Sequence, residues 1–71
     1  MIDLEPLFAL VSLEGVDEDA PLELDSLHVV TLVEEIERVF GVQMRSTDAA
    51  RANFASKRAI RALVERKIAT R

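Results

Sequence analysis

In "LELDSLHVV", Leu22 to Val30, a serine stands between an aspartate and a leucine where a long helical pattern begins. A serine hydroxyl in such a place can be a nucleophile, a helix cap or a point of attachment. A nucleophile needs a base within hydrogen-bond reach and a third group to orient that base. The one histidine, His28, lies two residues on, and positions i and i+2 of a helix point to different sides. There is no Gly-x-Ser-x-Gly turn to expose Ser26 as a nucleophile, so hydrolase chemistry is not expected. Asp and Glu are plentiful, but a 71-residue chain with three aromatic residues offers no cleft that would raise a carboxyl pKa. Without cysteine, and with a single histidine, thiolate and histidine metal sites are excluded. The expectation is a protein that is not an enzyme by itself and holds no metal.

As a cap, serine before an apolar helical run is ordinary and contributes about 1 kcal/mol. Local physics alone favours that account. Asp25 competes for the same position, however, which would leave Ser26 in the first turn with its hydroxyl facing out. A helix N-terminus also favours phosphate through its free N–H groups and its dipole, so a phosphodiester on Ser26 would sit in a compatible field.

The elements that would position Ser26 follow from apolar spacing. Leu4, Leu7, Phe8 and Val11 fall at i, i+3, i+4 and i+7, which predicts a first helix over about 4–13. Asp3 can cap it, Pro6 fits its first turn and Gly15 can end it. Residues 15–25, "GVDEDAPLELD", read as an acidic connecting loop pinned by Val16, Leu22 and Leu24. From Leu27 to Phe40 the chain has no Gly or Pro, and Gly41 stands where a left-handed C-cap would. Val29, Leu32, Val33, Ile36 and Phe40 form one stripe of that helix, the core face, with Val39 at its edge. Ser46 or Thr47 can cap a short turn over Asp48–Ala52, and Ser56 can cap a last helix carrying Ile60, Leu63, Val64 and Ile68. No strand-like alternation appears. The fold class is all-α, a small four-helix bundle of three main helices and one short one, in a single domain over residues 1–71.

The far side of the second helix groups Leu27, Val30, Thr31, Glu34, Glu37 and Arg38. Two apolar residues followed by acids make a small greasy spot with a charged rim, suited to transient docking, although two exposed aliphatics are also ordinary surface. Charge is split along the chain. Residues 1–44 hold eleven acids against Arg38 alone, a net of −10, whereas residues 45–71 hold eight bases against Asp48 and Glu65, a net of +6. The basic half invites a nucleic-acid reading, but the larger acidic half would repel the same phosphates, so no nucleic-acid partner is expected. The simpler account is that the halves attract each other within one fold. No apolar run approaches the roughly 20 residues of a bilayer span, and the N-terminus lacks the basic-then-apolar order of a signal peptide. A cytoplasmic monomer with no membrane partner is the expectation.

"LELDSLHVVTLVEEIERVFGV", followed by "NFASKRAIRALVERK", resembles the acyl carrier and peptidyl carrier proteins over residues 22–67. Asp-Ser-Leu alone would be weak. The specific part is its combination with the acidic helix, the "FGV" ending and the later Phe-x-Ser before an Ile-x-x-Leu-Val helix. The resemblance implies an acyl-carrier-like bundle in which Ser26 receives 4′-phosphopantetheine from coenzyme A, with Asp25 and Leu27 completing the attachment motif. The thiol of that arm would carry acyl or aminoacyl groups as thioesters in fatty-acid-like, polyketide or nonribosomal peptide biosynthesis. Implied partners are a phosphopantetheinyl transferase, a loading ligase or acyltransferase, and a downstream synthase or transferase. Leu32, Ile36 and Phe40 match buried positions of the family, and Val30 and Glu37 match its partner-facing side.

Five features depart from that pattern. Glu23 replaces the usual glycine before the motif, and Thr31 and Arg38 stand where acids are common. His28 follows the motif where other residues are usual, and the region before the motif is short. The changes at Thr31 and Arg38 imply a dedicated set of partner enzymes. The alternative from another class is a non-catalytic helical interaction module in which Ser26 is only a helix cap.

Overall fold

The computed structural model describes residues 2–71, and among them it contains three α-helices, one short 3-10 turn and no strand. The all-α class is as expected. The helices are α1 (Glu5–Leu10), α2 (Ser26–Phe40) and α3 (Lys57–Thr70), and the 3-10 turn spans Arg51–Phe54. The radius of gyration is 11.0 Å, and a folded chain of this length should show about 11 Å. α1 packs against α2, and the 3-10 turn packs against α3.

Helix α1 is shorter than the spacing predicts. Its apolar face is as expected, with Leu4, Leu7, Phe8 and Val11 all buried. Ser12, however, takes a left-handed φ of 60° and stops the helix three residues before Gly15. The Leu13 N–H then donates to the Phe8 carbonyl at 2.9 Å and the Ser12 N–H to the Ala9 carbonyl at 3.3 Å. That pair of bonds is a Schellman ending, with serine in the place glycine normally takes. At the other end Asp3 accepts from the Glu5 N–H at 3.0 Å.

Helix α2 keeps its expected end. Gly41 is left-handed at φ 65°, and its N–H donates to the Glu37 carbonyl. Leu32 and Ile36 are fully buried, with Val29, Val33 and Phe40 packed around them, while Val39 is exposed.

The segment after α2 differs from the reading of a turn over Asp48–Ala52. Residues 46–49 form successive tight turns, and the 3-10 turn begins only at Arg51. Neither Ser46 nor Thr47 caps it. The Asp48 carboxylate instead accepts from the Arg45 N–H and from the Lys67 ammonium, both at 2.8 Å. A carboxylate taking two donors at once holds this irregular segment more firmly than a hydroxyl could. The lysine, with the Arg45 N–H second, keeps the Asp48 carboxyl below its ordinary pKa.

Helix α3 starts as expected, with the Ser56 hydroxyl accepting from the Ala59 N–H at 3.1 Å. Ile60, Leu63 and Val64 are buried and Ile68 is half-buried. Lys57 is only 3% exposed, which its charge does not suggest. Its ammonium lies 5.1 Å from the centroid of the buried Phe8 ring, and the Arg61 guanidinium lies 5.2 Å from the same ring. Lys57 thus packs its apolar stem in the core and turns its charge toward an aromatic face. The last residue, Arg71, donates to the Phe40 carbonyl, so its charge serves the negative end of α2 rather than of its own helix.

The acidic loop between α1 and α2 is strapped to α3. Arg61 bonds both Glu18 and Glu5, and Arg58 bonds Asp19. Backbone bonds lie beside these pairs, from the Arg58 N–H to the Glu18 carbonyl and from the Leu22 N–H to the Ala55 carbonyl. The two oppositely charged halves do attract each other within the fold.

Candidate functional site around Ser26

Ser26 is the first residue of α2 and does not cap it. Asp25, in extended backbone, performs that task by accepting the His28 N–H at 2.8 Å. The aspartate lies one step nearer the non-helical chain, where a capping oxygen can reach back to the third residue of the helix. The Ser26 side chain is exposed, and its hydroxyl makes no hydrogen bond among the described residues. The N–H groups of Ser26 and Leu27, which have no partner inside a helix, have none elsewhere among the described residues. The site is an exposed hydroxyl beside free backbone donors at the positive end of a 15-residue helix.

His28 turns back toward the cap, its Nδ1 lying 3.4 Å from the Asp25 carboxylate. No hydrogen bond joins it to Ser26 among the described residues. Among the described residues no group of His, Asp and Glu side chains is arranged to hold a metal.

The side of α2 that the sequence groups as a docking face is only partly free. Leu27 is 69% exposed and Val30 49%, and Glu34 is exposed beside them. Thr31 is half-buried, and its hydroxyl donates to the Leu27 carbonyl one turn back. Arg38 is held by Glu35 through two donors on one carboxylate oxygen. Glu37 departs from the expectation. It is half-buried, and its Oε2 accepts the Met44 N–H at 2.9 Å, tying down the chain that follows Gly41. The need for a partner for that loop N–H draws Glu37 out of the rim. The exposed members of the face are Leu27, Val30, Glu34 and Arg38.

One neighbour of Ser26 carries no signal in the sequence. An open groove of about 720 Å³ runs beside the head of α2, with Leu22, Leu24, Val29, Val30 and Phe54 as its apolar lining. Ser26 lies at its edge together with Glu23, Asp25 and Arg51. Arg51 comes from the 3-10 turn, 25 residues away along the chain, so only the fold brings it here.

Among the described residues no helix is long and apolar enough to cross a membrane. Comparison of the chain with known protein families, with curated proteins and with solved structures finds no match.

Proposed function

We propose that this chain is a carrier protein of the acyl and peptidyl carrier type, a small four-helix bundle whose Ser26 is the attachment point for 4′-phosphopantetheine. The observation that carries the reading is the division of labour at the head of α2. Asp25 makes the cap, which leaves the Ser26 hydroxyl exposed and uncommitted within the Asp-Ser-Leu motif. The surroundings fit a phosphodiester, because free N–H groups and the helix dipole favour an anion bonded to Ser26 Oγ. When bound, the group supplies a terminal thiol on which an acyl or aminoacyl group is held as a thioester. Among the described residues none offers a base to Ser26, so a transferase would supply the base that takes the hydroxyl proton, with the phosphopantetheinyl phosphate passing from coenzyme A to Ser26 Oγ and adenosine 3′,5′-bisphosphate leaving. The role of Asp25 is to fix the first turn, and that of Leu27, Val30 and Glu34 is to offer a small apolar contact with one acid beside it. A contact of that size favours brief recognition and release by loading and downstream enzymes in the cytoplasm.

The test is direct. Incubation of the unmodified protein with coenzyme A and a broad-specificity phosphopantetheinyl transferase should add the mass of one phosphopantetheine, and Ser26→Ala should add none. No gain, or a gain that survives Ser26→Ala, overturns the reading and leaves the interaction module as the better account. The specific motive for that module, a capping role for Ser26, is already taken by Asp25.

A further inference from the structure

The groove beside Ser26 contains one cation and two acids. Glu23 and Asp25 line it with Arg51, and no other basic residue does. A phosphodiester on Ser26 would bring a third negative charge to a place where two already stand. Arg51 is the group able to offset them, and it is uncommitted. Arg58, Arg61, Lys67 and Arg38 are each paired with a carboxylate, whereas Arg51 has no ion pair or hydrogen bond from its side chain among the described residues.

The mount of Arg51 is firm even though its side chain is free. Phe54, three residues on, is 3% exposed in the core. The Asn53 amide donates to the Asp48 carbonyl at 3.0 Å, and Arg66 donates to the Asn53 side chain at 3.2 Å. The loop that delivers Ser26 is laced to the same region by the bond from the Leu22 N–H to the Ala55 carbonyl at 2.8 Å. The serine and the arginine therefore stand on two segments that the backbone holds together, across a groove lined by Leu24, Val29 and Phe54.

We propose that Arg51 is an anion clamp for this groove: its guanidinium pairs with the phosphodiester on Ser26 and lays the attached arm along the apolar lining instead of leaving it in solvent. The inference rests on the carrier reading and deepens it, by naming a positioning residue and the phosphate chemistry it recognises. A guanidinium suits the task because its forked donors match phosphate oxygens, and it stays charged at any working pH.

The experiment uses the phosphopantetheinylated protein, its modification checked first by intact mass, and compares its amide and arginine Nε NMR signals with those of the unmodified protein. Modification should shift the Arg51 Nε signal and the amides of Leu24, Val29 and Phe54 as well as those next to Ser26. Arg51→Gln should still accept the arm but lower the docked fraction about two- to fivefold, the range for an exposed ion pair, and Arg51→Lys should restore part of it. Salt of about 1 M, where charges are screened beyond about 3 Å, should imitate Arg51→Gln. Failure to gain mass at Ser26 removes the carrier reading and the clamp together. A normal mass gain with shifts confined to residues 25–28, or groove shifts unchanged in Arg51→Gln, overturns the clamp alone.

Discussion

Exchanging the adjacent residues Asp25 and Ser26 for alanine should separate stability from function. In the structure the aspartate accepts the 2.8 Å capping bond from the His28 N–H, and the serine hydroxyl bonds nothing among the described residues. Loss of a capping side chain costs about 0.5–2 kcal/mol. Loss of an exposed, unbonded hydroxyl should stay within about 0.5 kcal/mol of zero. For 71 residues the unfolding entropy is about 0.15 kcal/mol/K, so each kcal/mol shifts Tm by about 7 °C. Asp25→Ala should therefore lower Tm by about 3–13 °C, and Ser26→Ala by no more than about 3 °C. Thermal melts followed by circular dichroism at 222 nm, with urea titrations as a second probe, measure both. The phosphopantetheinylation assay should give the reverse order, with Ser26→Ala blocked and Asp25→Ala still modified where it remains folded. Asp25→Asn refines the comparison, because asparagine also caps and should recover most of the stability. If Ser26→Ala proves as costly as Asp25→Ala, the serine is a structural cap and the assignment of roles at the head of α2 is wrong.

Three further outcomes test the fold and the docking face. Ser12 holds a left-handed backbone at φ 60°, so Ser12→Gly should raise stability by about 0.5–1 kcal/mol, seen as a higher urea midpoint with an unchanged slope. Glu18, Asp19 and Asp48 are held below their ordinary pKa by Arg61, Arg58 and Lys67 respectively. Their folded-state pKa values lie below the unfolded ones, so the stability they add is complete above the ordinary carboxylate range and fades as pH falls below about 4. Melts from neutral to acid pH should show that loss, and Asp48→Asn should weaken its pH dependence; an unchanged profile would contradict the pairing with Lys67. Glu34→Lys should slow loading by a cognate enzyme at unchanged helicity, whereas Glu37→Gln should change stability more than loading, because Glu37 serves the Met44 N–H.

Much of this architecture is legible in the sequence because it is periodic. The stripe around Leu32 and Ile36, the Ile60, Leu63 and Val64 face, the Ser56 cap and the Gly41 ending all depend on neighbours within about one turn. The errors arise where a residue's partner is distant. Nothing near Ser12 announces a left-handed serine, because the Schellman ending is set by how Leu13 reaches the core. The short turn lies after Asp48 rather than starting on it, and that carboxylate is committed to Lys67, 19 residues on. Glu37 looks like a rim residue on a helical wheel until the loop after Gly41 presents an N–H without a partner. Arg51 is the clearest case, an arginine in an alanine-rich stretch that acquires meaning only where the fold sets it across a groove from Ser26.

The charge split is where sequence and structure together say more than either does alone. A basic C-terminal half looks available for an anionic partner, but Arg58, Arg61 and Lys67 are occupied by Asp19, by Glu18 and Glu5, and by Asp48. Those pairs occupy three of the cations of that half and fix the acidic loop that leads to Ser26. Glu34 on α2 and Glu23 and Asp25 beside the groove are among the exposed acids, and these three lie near Ser26. On the carrier proposal, a transferase approaching Ser26 would pass Glu23, Asp25 and Glu34, and complementary basic residues on that enzyme would be steered toward the serine. Association should accordingly slow as ionic strength rises, measured as the rate of Ser26 modification at subsaturating transferase. A rate indifferent to salt between about 0.05 and 0.5 M would mean that the open acids do not guide the encounter.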